Sequence, residues 1–271
     1  MPDAEDIELR LLLDALLARY SHDFRGYAGV SLKRRVQQAL PRFGCETISQ
    51  LQSRVLRDAA VFQQLLEILT IPFSEMFRDP PYWLALRRQA VPLLRTWPSL
   101  KVWVAGCATG EEVFSLAILL HEEGLLERSM VYATDINPVA LDKARRGIFA
   151  AASVRRHTAN YQAAGGLRAF SDYYSAAYDA ARFDPALIRN VTFADHSLAT
   201  DAVFSETQLV SCRNVLIYFD KALQDRALGL FHDSLCRRGF LGLGSKERLD
   251  FSNFADRFEP VGKRDRLFCK R

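Results

Sequence analysis

The stretch that most constrains this chain is residues 101–137, KVWVAGCATGEEVFSLAILLHEEGLLERSMVYATDIN. Its apolar opening, 102–105, is too short for a helix and is bounded by turn residues, so it reads as a buried strand. Gly106, Ala108, Thr109 and Gly110 follow, small residues that let a backbone turn sharply and approach a ligand. Glu111 opens an amphipathic helix reaching about His121, and a second strand over 130–134 ends on Asp135. Strand, glycine turn, helix, strand and acid is the layout of a nucleotide-binding βαβ unit, in which the terminal acid bonds ribose hydroxyls. The phosphate-gripping pattern G-x-G-x-x-G is absent; Gly106-x-x-x-Gly110 and two glutamates stand in its place. A carboxylate at the mouth of such a site repels a pyrophosphate and attracts an ammonium or a sulfonium. The pattern therefore favours S-adenosylmethionine over a nicotinamide dinucleotide.

A chain of 271 residues forms one large domain or two small ones. Its 49% apolar and 25% charged content is that of an ordinary globular protein. No apolar run approaches the ~18 residues that span a bilayer, and the acidic start, MPDAEDIELR, has no signal-peptide character. Five cysteines without a C-x-x-C spacing suggest neither a disulfide framework nor a zinc site, so no metal is expected. The expectation is a reduced, cytoplasmic protein without membrane insertion. A net charge of +4 does not by itself imply nucleic acid.

Residues 7–70 read as all-helical. Leu9, Leu12, Leu13, Leu16, Leu17 and Tyr20 form the stripe of an amphipathic helix. After a loop with Gly26 and Gly29, Ser31 suits the cap of a second helix, with Leu32, Val36, Ala39 and Leu40 inward and Lys33, Arg34 and Arg35 on the other face. That basic face is either a solvated surface or a docking site for an acidic partner. Two short helices follow, about 48–57 and 61–69. Pro72 and the Pro80–Pro81 pair bracket a linker in which Arg78 sits among apolar residues. Arg78 serves either an inter-domain salt bridge or a carboxylate arriving with a substrate. A helix over 82–94 leads into the first strand.

Beyond Asp135, Asn137 suits an N-cap, Pro138 the first helical turn and Gly147 the C′ position. Residues 156–190 break the βα rhythm and read as an inserted subdomain with a small antiparallel sheet. The sheet resumes over 191–194, where Asp195, His196, Ser197 and Leu198 follow a strand end. Another strand, 209–212, leads into Arg213, Asn214 and Tyr218, a polar cluster at the edge where such sheets bind ligands. Asp220 suits the cap of a helix ending before Gly239. Further strands over 240–243, 258–261 and 267–270 follow, the last two as a hairpin across residues 262–265. His196 reads as a packing residue near the crevice, and Cys107 and Cys212 as small apolar groups.

Four blocks, SEMFRDP (74–80), AGCATGEEVFS (105–115), ATDIN (133–137) and CRNVLIYFD (212–220), occur in this order behind a basic helical module. In them the chain resembles the CheR-type chemotaxis-receptor methyltransferases, over nearly its full length and least at 156–190. The resemblance implies a Rossmann-like class I methyltransferase sheet, mostly parallel with an antiparallel C-terminal hairpin, carrying a small all-α N-terminal domain and a small inserted subdomain. It implies a helical receptor-docking domain over 1–72, a linker and helix over 73–95, and a methyltransferase domain over 96–271. The implied activity is methyl transfer from S-adenosylmethionine to receptor glutamates. Arg78 and Tyr218 match the residues at the reaction centre. Ser74, Arg78, Gly106, Glu111, Asp135, Ser197, Leu198, Arg213 and Asn214 match the donor site, with Glu112 a rival to Glu111 for the donor's amino group. The resemblance gives Lys33, Arg34 and Arg35 a partner in the cytoplasmic helical domain of a chemoreceptor.

This chain departs from the family pattern at Pro72 and Ser197, where asparagines are usual, and at Val113 and Phe114, where Pro-Tyr is usual. A glutamate acceptor, with a pKa of about 4.3, is already an anion at neutral pH and needs no general base. Two other readings stand beside this one. One is a methyltransferase of the same fold with another substrate; the other is a donor-sensing regulatory module without transferase activity.

Overall fold

Strand β1 (Leu100–Ala105) is buried at every position but Lys101, which a central parallel strand covered by helices requires. The structure, a computed structural model, describes residues 3–262 and 265–271. Before β1 come α1 (Ala4–Tyr20), α2 (Gly29–Ala39), α3 (Ile48–Arg57), α4 (Ala59–Thr70), α5 (Pro80–Ala85), a π-helical turn (Leu86–Ala90) and α6 (Val91–Leu94). After it come α7 (Glu111–Glu122), β2 (Ser129–Asp135), α8 (Pro138–Arg146), β3 (Ile148–Ala150), α9 (Ala151–Ala163), β4 (Tyr174–Ala177) and β5 (Ala180–Phe183). The chain closes with β6 (Val191–Asp195), β7 (Thr207–Cys212), α10 (Lys221–Ser234), β8 (Leu235–Leu243), β9 (Phe258–Pro260) and β10 (Leu267–Lys270).

The main sheet has seven strands in the order β6-β2-β1-β7-β8-β10-β9. β6, β2, β1, β7 and β8 pair in parallel, while β10 runs antiparallel to β8 and β9. This is the mostly parallel sheet with antiparallel C-terminal strands that the sequence predicts. The turn between β9 and β10 includes Lys263 and Arg264, which lie outside the described residues. The chain leaves β1 for β2 on one side, and β7 occupies the other. Outside the carboxyl ends of these strands a doubly wound sheet leaves its crevice.

Local signals place the elements around that crevice. Gly106 has φ 71, and a Cβ there would lie 2.5 Å from Val215 Cγ2, so only glycine fits between the two loops. The Asn137 side chain accepts from the backbone N–H groups of Val139 and Ala140, capping α8. Gly147 closes α8 at φ 59. Asn137 also donates from Nδ2 to Thr70 Oγ1 at 3.0 Å, tying α8 to the end of α4.

Helices α1 to α4 share their own apolar cluster, in which Leu12, Leu16, Val36, Leu51 and Leu65 are fully buried. Each such leucine contributes about 1.5–3 kcal/mol by leaving water. Tyr20 stacks on Phe62 with ring centroids 3.9 Å apart. Here α2 departs from the sequence reading in two respects. It starts at Gly29, two residues before Ser31, so the Ser31 hydroxyl does not cap it and instead accepts from Arg35 Nη2. Arg35 is buried rather than on a solvated face, because it lies between Leu32 and Ala39 on the helix's inward side. Arg34 remains exposed.

The inserted subdomain is a three-stranded antiparallel sheet, β3-β5-β4, and it begins at Ile148, earlier than the sequence suggests. Phe114 of α7 packs across Phe149 and Phe183 at 5.6 and 5.4 Å, which seats this sheet on the main body. The Glu122 carboxylate accepts from the hydroxyls of Tyr161 and Tyr173. Among the described residues, no helix is long and apolar enough to cross a membrane.

The Asn137 geometry predicts that Asn137→Ala lowers stability by about 1–2 kcal/mol, the usual cost of a lost cap. Asn137→Asp, which keeps the cap but loses the bond to Thr70, should recover most of it. Thermal unfolding of the two variants beside the parent checks the ranking.

Candidate active site

The crevice is built from loops at the carboxyl ends of β1, β2, β6 and β7, closed on one side by the segment that follows α4. Ser74, Arg78, Gly106 and Asp135 line it. So do Leu198, Arg213, Asn214 and Tyr218. The sequence reading thus brings together residues from five separate stretches of the chain.

Asp135 joins two of the loops. Its Oδ2 accepts from the Ala108 N–H at 2.9 Å and its Oδ1 from the Asn137 N–H at 2.9 Å. Each oxygen keeps a lone pair, which is what a vicinal diol needs. Burial raises its pKa, opposed by those backbone N–H groups.

The two glutamates of α7, between which the sequence reading leaves the donor's amino group open, face different hollows. Glu111 lies outside the crevice, in an adjoining hollow behind Ser74, and accepts from the Thr109 hydroxyl at 2.7 Å. Glu112 faces the crevice, accepting from Ser211 Oγ at 2.7 Å and lying 3.5 Å from Arg213 Nη1. Consecutive residues on a helix point about 100° apart, and the α7 axis turns the second acid toward β7. Burial raises the Glu112 pKa, and the Arg213 guanidinium opposes the shift.

The Arg213 side chain is 1% exposed and turns its two terminal nitrogens on the protein itself, while its Nε has no partner among the described residues. Nη2 donates to the Arg78 carbonyl at 2.7 Å and meets Asp79 Oδ2 at 3.1 Å. The guanidinium lies 4.2 Å from the Tyr82 ring centre and 5.4 Å from that of Trp83. It therefore fixes the Arg78 backbone, while the Arg78 side chain, half-buried in the crevice wall, has no carboxylate within 4.0 Å among the described residues.

Tyr218 sits under a second guanidinium: Arg35 lies 4.7 Å from its ring centre, and Arg35 Nη1 donates to the Leu69 carbonyl. Ser197 stands outside the crevice lining; its hydroxyl accepts from the Ala199 N–H at 3.3 Å in a local turn. Several lining residues lie outside the sequence reading of the site, Tyr27 and His196 among them. Tyr27 reaches the crevice from the loop before α2 and packs on Phe219 at 5.0 Å. His196 both packs edge-on against Trp103 at 5.2 Å and lines the crevice.

These groups fit an S-adenosylmethionine donor: Asp135 for the ribose diol, Glu112 for the ammonium, Ile136 and Leu198 as apolar neighbours for the base, and Gly106 for close approach. The raised carboxyls give a signed prediction. Between its unfolded and folded pKa values each acid keeps a proton in the folded protein that it has lost in the unfolded one. Its stabilising effect is full on the acid side and declines as pH rises through that window. Donor binding draws on the ionised forms and runs the other way. Affinity for S-adenosylhomocysteine should therefore fall as pH drops through a window lying above 4.5, the ordinary glutamate value. Glu112→Gln should weaken binding about tenfold or more at neutral pH, the loss of one charge-assisted bond, and flatten the dependence. Calorimetric titration over a pH series measures both.

Comparison with known proteins identifies the family. Residues 72–266 match the family model "CheR methyltransferase, SAM binding domain", and residues 7–70 match "CheR methyltransferase, all-alpha domain". The chain is 65% identical over 265 residues to the protein named Cher3 of Pseudomonas putida, covering 98% of this chain and 97% of that one. It is 28% identical to the chemotaxis protein methyltransferase of Listeria monocytogenes, over 84% of each chain. It is 29% identical to that of Salmonella typhimurium, over 76% of this chain and 70% of the relative. With both family models accounting for the helical module and the sheet that carries the crevice, the chain belongs to the CheR methyltransferases and is an S-adenosylmethionine-dependent methyltransferase.

Proposed function

We propose that this enzyme is a protein-glutamate O-methyltransferase acting on the cytoplasmic helical domain of a chemoreceptor. The observation that carries the reading is Arg78. Its carbonyl is pinned by Arg213, yet its guanidinium in the crevice has no carboxylate partner among the described residues. Glu112 acts on this guanidinium only from beyond salt-bridge distance, so an incoming carboxylate is free to bond it directly. The relatives named chemotaxis protein methyltransferases support the choice of acceptor.

The chemistry follows from charge. When bound, S-adenosylmethionine supplies an electrophilic methyl group on a sulfonium. An acceptor carboxylate is already ionised, so the chain has to hold it in line at roughly 3–3.5 Å rather than deprotonate it. Attack forms a C–O bond and breaks a C–S bond, leaving a neutral ester and a neutral thioether. Two opposite charges disappear, so a crevice that excludes water favours the step over its solution counterpart. Arg78 and the Tyr218 hydroxyl orient the acceptor. Ser74, Gly106, Glu112, Asp135, Leu198 and Asn214 hold the donor. Arg213 acts on both through Glu112 and the Arg78 carbonyl.

We assign receptor docking to the helical module, residues 1–72, joined by the 73–95 linker to the methyltransferase domain, 96–271. The basic docking group is smaller than the charge run suggests. Lys33 is held by Asp6 at 2.6 Å, with Glu5 and Asp3 at 3.4 and 3.5 Å. Arg35 is buried against Tyr218, which leaves Arg34 as the solvent-facing cation of the three.

The test uses labelled donor, a chemoreceptor cytoplasmic fragment and mass mapping of the product. Methyl groups should appear on glutamate side chains. Arg78→Ala should lower kcat/KM about 10- to 100-fold, the worth of one to two charge-assisted hydrogen bonds, with donor affinity near normal. Label on another residue type, or near-normal turnover by Arg78→Ala, would overturn the assignment.

A further inference from the structure

One buried acid remains outside the machinery described so far. Glu247 follows β8 in a tight turn, closed by its own N–H donating to the Gly244 carbonyl at 2.9 Å. The residue is 3% exposed, and among the described residues no cation lies within salt-bridge distance of it. Its carboxylate is instead met by backbone. Oε1 accepts from the N–H groups of Val215 and Leu216, each at 2.8 Å. Oε2 accepts from the N–H of Asn214 at 3.0 Å and from that of Gly244.

Three consecutive peptide N–H groups aimed at one carboxylate form an anion cradle of the kind that normally receives a ligand. Here a side chain from more than thirty residues away fills it. The peptides it holds are not ordinary core. Asn214 is in the left-handed region at φ 62, a conformation that costs a residue with a Cβ about 1 kcal/mol or more unless something fixes it. Asn214 and Val215 line the crevice, Arg213 precedes them and Tyr218 follows in the next turn. The Val215 side chain packs on Gly106, so its placement also sets the glycine turn after β1. The approach is close enough that a Cβ on Gly244 would lie 2.7 Å from Asn214 N and 2.8 Å from Glu247 Oε2.

We propose that Glu247 is a positioning residue of the methyltransferase: without touching donor or acceptor, it holds the 213–218 loop in the shape that binds the donor. The inference rests on the assignment of the crevice to the donor. Removing the acceptor leaves buried N–H groups unsatisfied, and the cheapest relief is for the loop to turn them outward, away from the binding conformation.

Calorimetry with S-adenosylhomocysteine tests this on the full chain. Glu247→Gln keeps the size but removes the charge and one acceptor oxygen. Its affinity for S-adenosylhomocysteine should fall about tenfold or more, with kcat reduced and KM for the acceptor fragment little changed. Leu249→Ala is the stability control: Leu249 is buried in the same segment and does not line the crevice. It should lower Tm at least as much and leave the affinity unchanged. Should Glu247→Gln not accumulate, Glu247→Asp carries the same comparison with the charge retained and the reach shortened. Unchanged affinity in the Glu247 variants, or equal losses in Leu249→Ala, would overturn the proposal. Failure of the unaltered enzyme to bind S-adenosylhomocysteine would overturn the crevice assignment itself, and the inference with it.

Discussion

The Arg213 guanidinium is the interaction on which the rest of this site depends. It lies at the carboxyl end of β7 with 1% of its side chain exposed, and it reaches Glu112 of α7, the Arg78 carbonyl and Asp79 at once. A buried ion pair gains little over an apolar pair of the same shape, because desolvation offsets most of the attraction. Losing one partner of a pair already in place is far worse, about 3–5 kcal/mol. The arrangement is therefore better understood as geometry than as stability. The faces of Tyr82 and Trp83 flank the cation, and three groups from two separate parts of the chain meet on it. That leaves Arg78 with a fixed backbone and an uncommitted side chain.

The same economy of charge runs through the crevice. Glu112 and Asp135 are carboxyls that burial pushes toward the neutral form, each supported by hydrogen bonds and, for Glu112, by Arg213. In the unliganded protein their ionisation near neutral pH works against the fold. On the proposed assignment, a donor with an ammonium at one end and a diol in the middle adds partners to these acids, so binding and folding draw on the same free energy. A dinucleotide would set its pyrophosphate against Glu112, which is the electrostatic reason for the missing G-x-G-x-x-G.

How much of this was legible follows how local the signals were. The β1–α7–β2 unit and the Asn137 cap could be read because turn residues, apolar runs and caps act within a few residues of themselves. Arg35 is buried where its charge suggests a solvated face, although the means to place it are in the sequence. It stands three residues after Leu32 and four before Ala39, on the buried stripe of α2, and grouping it with Lys33 and Arg34 by charge ignored that angle. The choice between Glu111 and Glu112 was open for a different reason, since adjacent helical residues share every local signal and only the orientation of α7 over β7 separates them. Tyr27 and Glu247 carry no local signal. They meet the crevice through pairings distant in sequence, and the inserted sheet was vague because its strands are too short to show a period.

Those distant pairings also explain why the helical module and the sheet work as neighbours. The Ala28 N–H donates to the Tyr218 carbonyl at 2.8 Å, and the Asp220 N–H donates to the Gly26 carbonyl at 2.8 Å. Tyr27 lies between these two bonds, packed on Phe219, and Arg35 covers the Tyr218 ring. The loop that opens α2 and the loop that follows β7 are thus stitched on both sides of Tyr218. Arg34, which faces solvent, is adjacent in sequence to the residue resting on that tyrosine. In the docking proposed for the helical module, a partner that meets Arg34 therefore meets the neighbour of the residue that covers Tyr218.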